Sequence, residues 1–224
     1  MFSRMDCILQ EGVYMALDYE NFAKFIEDNK GKRKFKQSVE IAINFKGIDF
    51  TKQDNRLNLE ILLPNDKGKT RKVAVFADDK ALVEEAQKAG MDVIPGSEID
   101  QIASDQKRLG ALLAYDLVAQ GNLMPTIAKK LGQYLGSRGK MPKPLVGSVN
   151  LRIINEELKK KVSLKSKGKF LPTVHCVVGS EDMDPKKVFD NIKEVIEGVY
   201  GKVGQGSVKS AYVKLSMSKP LRIV

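Results

Sequence analysis

Between residues 19 and 29, Phe22, Ala23, Phe25 and Ile26 recur at helical spacing, and a cationic stretch over 30–36 follows. This pattern predicts an N-terminal helix. Over residues 34–45 the period falls to two. Phe35, Val39, Ile41, Ile43 and Phe45 then share one face, and Lys34, Lys36, Ser38, Glu40 and Asn44 share the other. A half-buried strand is predicted there. After a turn over 47–56, Leu57, Leu59 and Ile61 alternate again, so the two segments read as a pair of antiparallel strands.

The polar run Pro64-Asn65-Asp66-Lys67-Gly68-Lys69 ends this alternation. Short apolar runs at 72–76 and 91–94 then exchange with helical spacing at 80–89, which Gly90 ends, and at 97–109, where Ser97 is a candidate N-cap. Residues 110–118 and 126–135 repeat the order. Strands alternating with helices imply a parallel sheet covered on both faces, because each parallel pairing needs a crossover. Strand alternation resumes at 162–165 and 173–178, around a Lys167-Gly168-Lys169 turn. A helix over 184–200 carries Val188, Ile192, Val195, Ile196 and Val199 on one stripe, with Pro185 in its first turn. The final strand, 210–217, is predicted to turn Ala211, Val213, Leu215 and Met217 inward and Ser210, Tyr212, Lys214 and Ser216 outward.

The simplest assembly has two domains. Residues 1–66 and 159–224 would form an α+β domain, an antiparallel sheet with two helices in a split βαβ-like arrangement. Residues 67–158 would form an inserted, Rossmann-like α/β domain of three layers. Chain crossings near 64–69 and 155–161 would hinge the two. A length of 224 residues suits this division, since single domains usually run to about 100–150 residues.

The formal net charge of +10 favours a polyanionic partner. Its distribution narrows the choice of surface: residues 159–224 carry 14 basic and 6 acidic side chains, whereas residues 1–65 carry 10 of each. Cys7 and Cys176 are too few and too far apart for a disulfide framework or a zinc site, and they fit a reducing cytoplasm. With no continuous apolar stretch near Met1 and no run of about 20 apolar residues, neither export nor a membrane partner is expected.

Catalytic parts are not found. The single histidine, His175, excludes two-histidine metal motifs, and its neighbour Cys176 should point to the opposite face of a strand. Gly68-Lys69-Thr70 lacks the leading glycine of a phosphate loop, because position 63 is Leu, and Gly139-Lys140 is followed by Met141. The Ala77-Asp78-Asp79 turn has no glycine to admit a dinucleotide pyrophosphate. No enzyme activity, cofactor or metal is expected. A hinged nucleotide-dependent enzyme and a generic basic DNA-binding protein are the competing readings. The first requires bound nucleotide or turnover, the second equal affinity for duplex DNA and structured RNA.

Two features point to RNA. Lys and Ser on the outward strand faces can reach phosphates and ribose 2′-hydroxyls, and Phe35 or Tyr212 can lie against sugars or bases. The string Leu131-Gly132-Gln133-Tyr134-Leu135-Gly136-Ser137-Arg138-Gly139-Lys140-Met141-Pro142-Lys143-Pro144 ends a helix and reads onward as an extended cationic loop. As a string, it resembles the signature of the L-one family of large-subunit ribosomal proteins, in its archaeal and eukaryotic form. The resemblance extends to Lys34-Phe35-Lys36-Gln37-Ser38-Val39-Glu40, to His175 and to the closing Ser216-Met217-Ser218-Lys219-Pro220-Leu221-Arg222-Ile223; residues 1–11 match poorly and read as an extension.

The resemblance implies a monomer when free, a constituent of the large ribosomal subunit in the cytoplasm, binding the stalk of large-subunit ribosomal RNA beside the tRNA exit site. It also implies aid to release of exit-site tRNA and repression of the protein's own messenger RNA. It places the RNA surface on Lys34, Phe35, Lys36, Ser38, Glu40, His175, Ser210, Tyr212, Ser216, Met217 and Ser218. Arg138, Lys140 and Lys143 would make a secondary RNA or interdomain contact. The family commonly has Thr-Met-Gly where this chain has Ser216-Met217-Ser218, so the hydroxyl is kept and the glycine is lost.

Overall fold

The computed structural model describes residues 19–52, 55–68, 71–145, 150–166 and 171–224; the expectations for residues 1–11, Cys7 and the Lys167-Gly168-Lys169 turn lie outside these. The described elements run α1 (Tyr19–Asn29), β1 (Ser38–Phe45), β2 (Asn58–Leu62), β3 (Val73–Phe76), α2 (Lys80–Lys88) and β4 (Asp92–Ile94). They continue through α3 (Ile99–Ser104), α4 (Gln106–Leu112), β5 (Asp116–Gln120), α5 (Met124–Lys130), α6 (Gly132–Ser137), β6 (Lys143–Leu145) and α7 (Leu151–Lys160). The chain closes with β7 (Lys161–Lys165), β8 (Thr173–Ser180), α8 (Pro185–Val203), β9 (Val208–Leu215) and β10 (Leu221–Arg222). Two compact units result: the described residues of Met1–Lys69 with Lys161–Val224, and those of Thr70–Lys160.

In the first unit an antiparallel sheet has the strand order β10-β9-β1-β8, and β2 pairs with β7 in a second, two-stranded sheet. The sequence pattern suggested that β1 and β2 pair with each other. Instead β1 is flanked on both sides by strands from the far end of the chain. Val39, Ile41, Ile43 and Phe45 are all buried against Phe22 and Ile26 of α1 and the Val188, Ile192, Val195, Ile196 and Val199 stripe of α8. Each such side chain contributes about 1.5–3 kcal/mol of burial. Helix α8 starts cleanly because the Asp184 carboxylate accepts from the Lys186 N–H and Pro185 has its fixed φ at the first turn.

The pairing of β1 with β8 slips between Val39 and Glu40, since Val39 faces Gly179 and Glu40 faces Val177. The extra residue, Val178, is fully buried. Its carbonyl accepts from the amide of Asn191 at 2.8 Å, and the Asn191 oxygen accepts from the Asn65 N–H at 3.0 Å. A buried asparagine on α8 thus satisfies the carbonyl at the bulge and also holds the backbone that follows β2.

The second unit is a parallel sheet of order β4-β3-β5-β6. All four residues of β3 are buried, and the strand's alternation divides them between two cores. Ala74 and Phe76 pack with Ile99, Ile102, Leu109, Leu112, Ile127, Leu131 and Leu135 of the helices α3 to α6 and the residues joining them. Val73 and Val75 pack with Ala86 of α2 and Leu151 of α7. Helices therefore cover both sheet faces, as parallel strands require.

Several boundaries differ from the sequence pattern. The alternation over 34–37 is not strand: β1 begins at Ser38, and Phe35 is 50% exposed. The helix expected over 97–109 is a tight turn at Gly96–Glu98 followed by α3 and α4. Asp105 divides the two helices, because it is extended and its carboxylate caps α4 at the Lys107 N–H. Ser97 lies inside the turn and caps nothing. Residues 110–112 end α4, so the strand expected from 110 begins at Asp116. The expected polar crossing at 155–161 is the direct junction of α7 with β7. Among the described residues no helix is long and apolar enough to cross a membrane, and no group of three metal-ligating side chains gathers.

Two outcomes follow from this packing. A Cβ at Gly179 would stand 2.8 and 3.1 Å from the two methyls of Val188, whose β-branched side chain has few places to go. Gly179→Ala should therefore cost about 1–3 kcal/mol by chemical denaturation, and an unchanged midpoint would contradict this packing. Burial pushes the Cys176 thiol up to about 12. Its share of stability is intact below the ordinary thiol value and is lost as pH rises towards 12, since the unfolded thiol ionises first. In a Cys7→Ser variant at pH ~8, a thiol reagent should label Cys176 only on unfolding; labelling at a free-thiol rate in the native state would refute its burial.

Candidate nucleic-acid interface

The helices cover one face of the first unit's four-stranded sheet and leave the alternate positions open. Strand register sets these positions in rows. Lys214 of β9, Glu40 of β1 and Val177 of β8 make one row. Arg222 of β10, Tyr212, Ala42 and His175 make the next. Ala42 is the small member of that row, between the positions of Tyr212 and His175. His175 is exposed and Tyr212 is half-buried, while Cys176 between the open-face positions of β8 is buried, as strand alternation requires.

The third row is bonded within itself. The Asn44 amide donates to the Ser210 hydroxyl at 3.0 Å, and the Thr173 hydroxyl donates to the Asn44 oxygen at 2.9 Å. Ser210 is 6% exposed. It lies opposite Asn44, and Asn44 is about 20 Å along β1 from Ser38 at ordinary strand rise. Of the two sequence-derived candidates on β9, Ser210 is thus the one that the fold buries and bonds within the sheet.

The opposite end of the sheet gathers most of the remaining candidates. The Ser38 N–H donates to the Ser216 hydroxyl at 3.2 Å, and the Ser216 N–H returns to the Ser38 carbonyl at 3.1 Å. Beyond β9 the chain turns rather than continuing as a strand. Met217, expected on the buried face, is 58% exposed at this turn. The Ser218 hydroxyl accepts from the Leu215 N–H at 2.9 Å and donates to the Lys219 carbonyl at 2.9 Å. A residue in the family's glycine position is therefore committed to the turn itself. Lys34, Phe35 and Lys36 are exposed immediately before β1. Lys36 meets the Asp182 carboxylate at 2.7 Å, and this hydrogen bond and charge raise the lysine's pKa. With both partners well exposed, the pair contributes little to stability.

Between the end of α1 and this turn lies an open cleft of about 730 Å³ whose walls include Lys32, Arg33 and Lys219. These three cations were not singled out individually by sequence. The cationic stretch 30–36 was the available signal, but its side chains could not be aimed without the turn that faces them. Cations around a cleft with the exposed Met217 side chain on its wall can meet both the phosphates and the unpaired bases of a folded polynucleotide.

The second unit offers a different surface. Arg138 stacks over the Tyr134 ring at 3.8 Å and donates to the Tyr134 carbonyl at 3.3 Å. Lys140 donates to the Tyr115 carbonyl at 3.1 Å and the Asp116 carboxylate at 3.0 Å. Lys143 begins β6. The expected extended loop is thus a helix end, a brace and a strand, and the Lys140 ammonium is engaged within its own unit. At the carboxyl ends of the parallel strands, where α/β sheets hold nucleotides, the groups satisfy one another. The Asp78 carboxylate accepts from the Gly96 N–H at 2.7 Å, and the Gln120 side-chain oxygen accepts from the Asp78 N–H at 3.2 Å. A carboxylate there repels a phosphate.

Comparison with known proteins identifies the family. The model of the ribosomal protein L1p/L10e family matches residues 24–219. A protein named large ribosomal subunit protein uL1 from Thermococcus kodakarensis is 38% identical over 217 residues, covering 93% of this chain and 99% of the relative. The protein of that name from Pyrococcus horikoshii is 38% identical, with 93% and 98% covered. That from Archaeoglobus fulgidus is 37% identical over 219 residues, with 94% and 100% covered. With the family model spanning nearly every described element and such relatives matched end to end, this chain belongs to the ribosomal protein L1p/L10e family.

Proposed function

We propose that this protein is a structural constituent of the large subunit of the cytoplasmic ribosome and binds the stalk region of large-subunit ribosomal RNA near the tRNA exit site. The family is one of structural, non-enzymatic ribosomal proteins, and the named relatives are large-subunit proteins. In this reading the first unit is an α+β RNA-binding domain, and the second an inserted Rossmann-like scaffold without a cofactor. The observation that carries the reading is the convergence of Ser38, Ser216 and Met217, drawn from opposite ends of the chain, beside a cleft lined by Lys32, Arg33 and Lys219.

Each group has a distinct role. Lys32, Arg33, Lys34, Lys36 and Lys219 meet phosphates and supply affinity that falls with salt. Ser216 and Glu40 read ribose hydroxyls or base amino groups, which charge alone cannot do, while Ser218 shapes the turn that presents them. Phe35, Met217, Tyr212 and His175 offer apolar and ring surfaces to sugars and splayed bases. Ser210 supports the sheet beneath them. The same surface would accept a similar RNA fold in the protein's own messenger, repressing its translation, and on the ribosome the bound stalk would assist release of deacylated tRNA. Arg138 and Lys143 remain a secondary contact in this reading.

A titration at fixed salt, with a stalk RNA fragment, a duplex DNA and an unrelated hairpin in competition, tests the reading. Tight binding of the stalk RNA that survives excess competitor is expected; equal and weak binding to all three would reject it. Replacing Lys32, Arg33 and Lys219 together with Gln should weaken binding and flatten the dependence of log affinity on log salt by about 0.7–0.9 for each phosphate no longer neutralised. Ser210→Ala should instead cost about 1 kcal/mol of stability by denaturation and leave RNA affinity unchanged. The reverse pattern, with Ser210→Ala weakening binding and the triple variant neutral, would relocate the site.

A further inference from the structure

Gln37 lies between the outward Lys36 and Ser38 but turns inward, and it is 2% exposed. Its amide nitrogen donates to the Asn29 carbonyl at 3.2 Å and to the Glu181 carboxylate at 3.1 Å. Its side-chain oxygen accepts from the Met217 N–H at 3.1 Å. These partners fix the orientation of the amide, because a carbonyl and a carboxylate only accept and a backbone N–H only donates. The backbone joins the same knot: the Gln37 carbonyl accepts from the Glu181 N–H at 3.0 Å and from the Ser180 hydroxyl at 3.4 Å.

One side chain thereby ties three separate elements. Asn29 ends α1, and its carbonyl is among those a helix leaves without an internal partner. From there the chain leads to Lys32 and Arg33. Glu181 follows β8 and is only 5% exposed, so its carboxylate depends on protein donors. Met217 sits at the tip of the turn after β9, with its side chain outside and its N–H held from within. Gln37 also forms part of the cleft wall between them.

We infer that Gln37 is a positioning residue for RNA recognition: it holds the end of α1 and the Met217 turn at a fixed separation, so the cleft is formed before RNA arrives. This rests on the RNA-binding reading above and adds to it a residue that does not itself meet the cleft's phosphates. Without Gln37, Met217 and Asn29 could turn their backbone groups to water, and the turn would have to be ordered at the moment of binding, which lowers affinity.

The test uses the full chain with the stalk RNA fragment, together with amide hydrogen exchange of the free protein at Met217. Gln37→Met keeps the shape and removes all three bonds. Gln37→Glu keeps the acceptor for Met217 but sets a second carboxylate against Glu181 and the Asn29 carbonyl. Both should bind about tenfold more weakly and exchange the Met217 amide faster, while Ile41 in the sheet stays protected. Gln37→Glu combined with Glu181→Gln restores the bond between the two side chains, though not the one to the Asn29 carbonyl, and should recover part of the loss, a rescue that general destabilisation would not give. If Gln37→Met folds and binds as tightly as the wild type, or if the double variant binds no better than Gln37→Glu, the inference is overturned. Absence of any stalk preference in the wild type would instead overturn the RNA reading on which it rests, and Met217 exchange would still report whether Gln37 holds the turn.

Discussion

Strand β1 is held between β8 and β9, which lie far from it in sequence, and the first unit depends on that arrangement. Closing so long a loop costs chain entropy that grows only slowly with length, and the buried face of β1 can offset it. Val39, Ile41, Ile43 and Phe45 are at most 4% exposed. At about 1.5–3 kcal/mol for each side chain, their burial is comparable with the whole stability of an ordinary domain. A slip of one residue would turn all four to solvent, so the register is strongly specified. The same register carries Ser38 to Ser216 and Ala42 to the gap between Tyr212 and His175. Forming the core and assembling the candidate interface are one event.

The second unit solves a different problem. Its apolar strand β3 has no polar face, and helices on both sides supply two separate cores. The strand ends that could have received a nucleotide are occupied by the mutual bonds of Asp78, Gly96 and Gln120. The unit thus has a parallel sheet covered on both faces, and at its strand ends a carboxylate stands where a bound phosphate would need a donor, so the fold by itself assigns no function.

Much of this was legible in the sequence where a pattern had a single physical cause. The alternation over 39–45 and the stripe of α8 both matched the buried residues, because a half-covered strand and an amphipathic helix each leave a period. Misreadings arose where a period continued without its cause. Phe35 and Met217 extend the alternation of β1 and β9, but the ladder has ended and both are exposed. Ser210 reads as an outward polar residue, yet it is buried because Asn44 supplies its partner from another strand. Asp105 breaks a helix by capping the next one, a local competition that apolar spacing does not register. The sequence pattern also passed over α7, whose charged residues obscured the apolar contacts of Leu151, Ile154 and Leu158. The candidate surface became specific through resemblance to a family, whereas Gln37 and the cleft required the fold.

The central claim is that one end of one sheet, built from both ends of the chain, is where RNA sits. Hydrogen–deuterium exchange across the whole chain, with and without the stalk RNA, tests this most directly. New protection should concentrate at residues 32–40 and 212–219, with little change around Asp78, Gly96 and Gln120. Protection confined to the second unit, or spread evenly over every basic surface, would contradict the account.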